Sequence, residues 1–264
     1  MQKSRVLAKL RDGKPVLCTK TNFNEPAIVE MVGLIGFDCL WICQEHLWTN
    51  DETLAGMVRA ARLTGMDTMV RIGKAGYSSA IRPMEMGVKG IMVPHVLSVE
   101  EAKAWVRATR FFPTGRRGID GVNADADWGL MNFKDYLKFS NEETFLAFQV
   151  EDPEILPYLE DIAQMPGLDI LFVGIADLSQ GLGFPGEIDR PEIWDVLKKV
   201  GEVARKHGKF AGAPGVSPEW TRKLLDMGYL FISNGADIIY LRDAFLKLRE
   251  GYEKLGFSFA QLPS

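Results

Sequence analysis

The sequence predicts one α/β domain, a closed (β/α)8 barrel spanning residues 1–264. Short runs that are apolar throughout recur along the chain, longer amphipathic stretches alternate with them, and no shift in composition divides the two halves. Runs of that kind suit strands buried on both faces, as a parallel sheet covered by helices requires.

The strand candidates are Pro15 to Thr19, Phe37 to Ile42, Thr68 to Ile72, Lys89 to Val93, Thr144 to Val150, Asp169 to Val173, Lys209 to Ala213 and Tyr229 to Ser233. Eight such units favour a closed barrel over an open doubly wound sheet. Helical patterns fall at Asp51 to Leu63, Ser98 to Arg110, Pro153 to Gln164, Pro191 to His207 and Ser217 to Met227. Ser98, followed by Glu100 and Glu101, and Ser217, followed by Pro218, read as helix starts, while Gly208 and Gly228 mark stops. The long stretch from Phe111 to Met131, which contains PTGRRGIDG, reads as an irregular functional loop.

Composition narrows the function. The chain carries 31 basic and 35 acidic residues, a net charge of -4, and no long basic run, which argues against nucleic acid and anionic membranes as partners. Its cysteines, Cys18, Cys39 and Cys43, lack the paired spacing of a zinc site or disulfide framework, so a cytoplasmic location is expected. The first residues, MQKSRVLAKLRDGKP, lack the apolar run of a signal peptide, and no segment approaches about 18 consecutive apolar residues. Small-molecule chemistry is the expectation.

Active sites of such barrels lie at the C-terminal ends of the strands, which directs attention to polar residues that terminate apolar runs. Strand two runs into Cys43, Gln44, Glu45 and His46; strand three ends at Arg71; strand five delivers Gln149 and Glu151; strand six opens into GIAD with Asp177. Taken singly, either carboxylate reads as a surface or capping group. Together, at adjacent strand ends, Glu151 and Asp177 suit a hard cation such as Mg2+ or Mn2+, which accepts one or two carboxylates and completes its shell with water and substrate oxygens. An arginine after the apolar run TMV is costly to bury without a carboxylate or developing oxyanion to meet. His95, after Pro94 near strand four, is a further pocket candidate and His207 reads as an exposed residue at a helix C-terminus; neither receives a catalytic role. GLGFPG at Gly181 to Gly186 lacks the spacing of a phosphate-binding motif and reads as a βα loop.

QVE at Gln149 to Glu151 and FVGIADLSQGLG from Phe172 to Gly183, preceded in order by Glu45–His46, Arg71 and GRRG at Gly115 to Gly118, resemble the HpcH/HpaI aldolases, the class II pyruvate-dependent aldolases. The resemblance covers nearly the whole chain. It implies that Glu151 and Asp177 bind one divalent cation, Mg2+ or Mn2+ with Co2+ as a further candidate, and that the metal-chelated 2-oxo acid loses a methyl proton to form an enolate. It further implies that Arg71 stabilises the enolate oxygen, that Gln149 and the backbone amides of Ala176 and Asp177 hold substrate, and that His46 promotes proton transfer. The implied reaction is reversible cleavage of a 4-hydroxy-2-oxo acid to pyruvate, or an analogue, and an aldehyde. The implied assembly is a homo-oligomer, often a hexamer, whose C-terminal helix packs on a neighbour.

Three positions depart from the family pattern. Where an aspartate commonly orients the histidine, this chain has Cys43. Glu85, in MEMG, matches a position from which a neighbouring subunit's acidic residue reaches that histidine, so it is the expected partner of His46. Cys18 and Lys20 stand where a glycine and a tryptophan are usual, and Lys20 places an amine near the barrel mouth, for anion recognition or for solvent. Two other enzyme readings use the same region: oxaloacetate-type decarboxylation, and Schiff-base chemistry on Lys20. A metabolite-binding barrel without catalysis is the non-enzymatic alternative. Lys20, Pro214 and the segment containing Asn123 and Trp128 are the candidate specificity elements.

Overall fold

A computed structural model describes residues 2–260. Eight parallel strands close into a barrel in sequence order, β1 (Val16–Thr21), β2 (Cys39–Cys43), β3 (Asp67–Arg71), β4 (Gly90–Val93), β5 (Phe145–Val150), β6 (Ile170–Val173), β7 (Phe210–Pro214) and β8 (Tyr229–Ala236). Each matches a predicted run within about three residues, because burial on both faces leaves an unbroken apolar signature.

The barrel interior is filled by Val16, Cys18, Trp41, Met69, Met92, Phe145, Ala147, Phe172 and Phe231. Trp41 meets Phe172 edge-on at 5.5 Å, and Phe172 meets Phe231 at 6.2 Å. Large rings need small neighbours: a Cβ on Gly90 would lie 2.2 Å from Phe145, and one on Gly212 would lie 2.8 Å from Phe172.

Helix α1 (Arg5–Arg11) plugs the N-terminal end, its Val6, Leu7 and Leu10 joining the interior cluster. Buried Asp67 ties it there by accepting from Ser4 Oγ at 2.6 Å and Val6 N at 2.8 Å. The opposite end is left for chemistry.

Outside the strands pack α2 (Pro26–Ile35), α3 (Asp51–Thr64), α4 (Ser78–Glu85), α5 (Val99–Thr109), α6 (Phe133–Glu143), α7 (Leu159–Ala163), α8 (Ile175–Gly181), α9 (Pro191–Lys206), α10 (Pro218–Asp226) and α11 (Asp237–Glu253). Ser98 and Ser217 cap α5 and α10 by accepting from Glu101 N and Trp220 N, each at 3.1 Å. Gly208 and Gly228 stop their helices with φ of 64° and 89°.

One expectation is corrected. The helix from Pro153 to Gln164 is a 3-10 turn over Pro153–Tyr158 followed by short α7, since Pro157 lacks the N–H that a continuous α-helix needs. The stretch from Phe111 to Met131 is irregular, as expected, with only a kinked turn at Ala124–Gly129 in which Asp127 and Trp128 are left-handed, and the buried Arg117–Asp125 pair packs it. Among the described residues no helix is long and apolar enough to cross a membrane.

Candidate active site

Side chains alternate along a strand, so the inward set of each strand continues into the mouth of the barrel. Trp41 leads to Cys43, Met69 to Arg71, Ala147 to Gln149 and Glu151, and Phe172 to Gly174. Register aligns these ends: Cys43 pairs with Arg71, Met92 with Arg71 from the other side, and Gln149 with Phe172. The interior changes from apolar to polar within one layer, with Arg71, Gln149 and Glu151 only 6%, 2% and 1% exposed.

Arg71 is fixed on several sides. Its Nε lies 2.9 Å from Glu45 Oε2, Nη2 donates to Cys43 Sγ at 3.2 Å, Nη1 donates to Gln149 Oε1 at 3.4 Å, and the guanidinium lies 5.0 Å from the Trp41 ring centroid. The Glu45 contact is an ion pair by distance but is not aligned as a hydrogen bond, leaving Arg71 Nε and Glu45 Oε2 as buried polar atoms without one. Gln149 also donates through Nε2 to Glu151 Oε2 at 2.7 Å. One amide therefore links the cation of Arg71 to the carboxylate of Glu151.

Glu151 Oε1 accepts from the backbone N–H of His95 at 2.8 Å. Burial pushes its carboxyl up to about 7, and the charge of Asp177 adds to the rise, against lowering by the His95 N–H, the His95 imidazole and Arg71. Asp177 lies in the first turn of α8, as do the N–H groups of Ala176 and Asp177, and no side chain caps that turn. Gly174 precedes the turn because a Cβ there would sit 2.4 Å from Glu151 Oε2.

His95, expected near the pocket but given no catalytic role, lies among the carboxylates of the site. Its Nδ1 lies 3.0 Å from Asp152 Oδ2 and 3.6 Å from Glu151 Oε1, and its Nε2 lies 3.6 Å from Glu45 Oε1. Burial alone would lower the imidazole pKa, but the Asp152 hydrogen bond and the charges of Glu151, Asp152 and Glu45 outweigh it and raise the pKa. Among the described residues, His95, Glu151 and Asp152 form one group of potential metal ligands, with donor atoms within 4.8 Å of one another. Val93 pairs with Phe148, so strand register alone sets His95 beside the end of β5.

The remaining predicted residues separate. His46 is on the exposed rim with its Nε2 3.8 Å from Glu45 Oε2, and its N–H faces Cys43 Sγ at 3.4 Å. Glu85 ends α4 just before β4, toward the opposite end of its own barrel from His46. There it is half-buried and its pKa is raised, chiefly by burial, with Asp125 and Asp120 adding and Arg117 opposing. It shares a cavity of about 200 Å³ with Arg59, Asn123 and Trp128. Lys20 is half-buried near the end of β1, paired in register with Trp41 and Ala236.

The sequence profile of the HpcH/HpaI aldolase/citrate lyase family matches residues 21–244. The hydroxypyruvate/pyruvate aldolase of Delftia acidovorans is 30% identical over 240 residues, 90% of this chain and 88% of that one. The HpcH/HpaI aldolase structure from Desulfitobacterium hafniense has a TM-score of 0.88 at 25% identity, covering 97% of this chain and 98% of that one. A citrate synthase, SbnG, has a TM-score of 0.87 at 28% identity, covering 95% and 98%. The chain is therefore a carbon–carbon lyase belonging to the HpcH/HpaI aldolase/citrate lyase family.

Proposed function

We propose that the protein is a divalent-cation-dependent lyase that reversibly cleaves a 4-hydroxy-2-oxo acid to pyruvate, or a pyruvate analogue, and an aldehyde. The observation that carries the reading is the buried line Arg71–Gln149–Glu151 at the barrel mouth. It sets a fixed cation at the end of β3 and a nearly inaccessible carboxylate just past β5, one strand apart across the barrel mouth.

The donor set fits Mg2+ or Mn2+, with Co2+ as a further candidate. Glu151 is buried beside the charge of Asp177, an arrangement that raises its pKa in the absence of a compensating dication. Gly174 keeps the space beside Glu151 Oε2 free of a side chain. When bound, a divalent cation supplies Lewis-acid polarisation of the 2-oxo group. Glu151 and Asp177 hold it. Arg71, immobilised by Glu45, Cys43 and Gln149, stabilises negative charge as it grows on the carbonyl oxygen. Gln149 positions Arg71 and Glu151, and its remaining amide hydrogen is available for substrate. The uncapped N–H groups of Ala176 and Asp177 bind the substrate carboxylate. His46 moves the proton at the exposed rim, oriented by Glu85 from a neighbouring subunit.

Association of copies is supported by α11, none of whose side chains is buried and which exposes Ile238, Ile239, Leu241, Phe245, Leu246 and Leu248. So large an apolar patch is atypical of a monomer. We assign this helix to a homo-oligomer, a hexamer by family resemblance.

Calorimetric titration tests the metal assignment: Glu151→Gln and Asp177→Asn should each weaken divalent-cation binding while leaving the thermal transition cooperative. Unchanged affinity in both variants would reject the site. A cleavage screen against 4-hydroxy-2-oxo acids of differing tail identifies the aldehyde, and borohydride with pyruvate should trap no adduct on Lys20.

A further inference from the structure

We propose that His95 is an additional protein ligand of the divalent cation, binding through Nδ1 beside Glu151, and that this nitrogen turns the site's preference toward borderline transition-metal ions over Mg2+. The inference rests on the reading that Glu151 anchors a cation at this strand end.

Donor spacing is the first support. Six ligands at about 2.1 Å from an ion set neighbouring donors about 3 Å apart. His95 Nδ1, hydrogen-bonded to Asp152 Oδ2 at 3.0 Å, stands 3.6 Å from Glu151 Oε1, within about 0.6 Å of that spacing.

The backbone holds it there. His95 has φ of 48°, in the left-handed region that a residue with a Cβ seldom adopts. Both of its peptide groups are fixed: its N–H donates to Glu151 Oε1 at 2.8 Å, and its carbonyl accepts from Lys74 Nζ at 2.6 Å. The same turn that satisfies Glu151 therefore aims the ring at it.

The far nitrogen is also accounted for. A ligating imidazole characteristically presents its other N–H to a carboxylate, which fixes the tautomer and increases ligand basicity. Nε2 faces Glu45 Oε1 at 3.6 Å, and Glu45 is itself held by Arg71 at 2.9 Å. Coordination through Nδ1 releases the Nδ1 proton to solvent and breaks the hydrogen bond to Asp152, leaving the two fixed peptide groups and the Nε2 side facing Glu45 to orient the ring.

Donor chemistry decides the consequence. An all-oxygen site suits Mg2+ and Mn2+, whereas an imidazole nitrogen favours Co2+, Ni2+ and Zn2+. A readout of binding alone suffices to test it. Calorimetry with Co2+ and with Mg2+ should show His95→Asn losing about tenfold or more in Co2+ affinity, with Mg2+ affinity changing much less. Asparagine is the informative replacement because it tolerates the left-handed backbone.

Pulsed electron paramagnetic resonance on the Mn2+-loaded wild-type protein should show nitrogen coupling from a directly bound imidazole, absent in His95→Asn. Equal losses for Co2+ and Mg2+, or no nitrogen coupling in the wild-type protein, would overturn the His95 assignment, the latter even if the variant fails to fold. Glu151→Gln separates the two levels: if it leaves both affinities intact, the Glu151 reading itself fails. If it abolishes both while His95→Asn changes neither, only the His95 inference fails.

Discussion

Arg71→Lys is the substitution whose effect the geometry specifies most fully. Lysine keeps the charge but presents one rotating ammonium in place of a planar fork. The arginine reaches Glu45 at 2.9 Å, Cys43 at 3.2 Å and Gln149 at 3.4 Å while lying against Trp41. No single ammonium position meets these groups and the substrate oxygen together. Loss of one positioned oxyanion donor costs about 2.7 to 4 kcal/mol, or about 10² to 10³ in kcat. A buried Gln149 Oε1 left without its donor costs a further 1 to 3 kcal/mol of stability, roughly. At about 2 to 4 °C per kcal/mol for a chain of this size, the melting temperature should fall by roughly 2 to 12 °C. Steady-state cleavage and thermal unfolding on the same preparation read both effects. A kcat within about threefold of wild type would refute the assignment of Arg71 to the growing charge, whatever the melting temperature.

Three other substitutions, one of them tested in a double variant, probe separate parts of the account. Glu85→Gln should slow proton exchange and shift its pH profile while leaving cation affinity unchanged, and adding His46→Ala should cost little more, since paired catalytic groups are not additive; full activity, or strictly additive losses, would defeat the pairing. Lys89, buried at the start of β4, has its pKa lowered from 10.5 to about 8 by burial, against the opposing charges of Asp67 and Glu143. The unfolded chain therefore binds more protons between about pH 8 and 10.5, so this group's contribution rises with pH across that window and is lost as pH falls through about 8. Lys89→Met should remove a rise of about 3 kcal/mol between those limits, measured as the difference between wild-type and variant urea stabilities. Parallel pH curves for the two proteins would contradict it.

The strands were legible because a parallel strand packed on both sides leaves a run such as FLAFQV or ILFV that few other environments produce. Arg71, Gln149 and Glu151 were legible for the same reason, as polar residues directly continuing such runs. The break at Pro157 was written in the sequence and outweighed by the amphipathic pattern around it. His95 was legible as a pocket candidate but not as a neighbour of Glu151 and Asp152, because a lone histidine after a proline carries no spacing signal and its backbone conformation cannot be read from composition. Barrel order did contain a clue: β4 and β5 are neighbours, so residues just past Val93 must lie near those just past Val150. The proposed pairing of Glu85 with His46 is one between subunits, so a single chain carries no contact that records it.

The most direct test of the central claim is solvent exchange of the pyruvate methyl protons, followed by nuclear magnetic resonance before and after chelation of divalent cations. Enolate formation on a cation held by Glu151 and Asp177 predicts that exchange stops on chelation, returns when Mg2+, Mn2+ or Co2+ is added, and does not return in Glu151→Gln. Exchange that continues unchanged in the stripped protein, or that is restored as well in Glu151→Gln as in wild type, would contradict it.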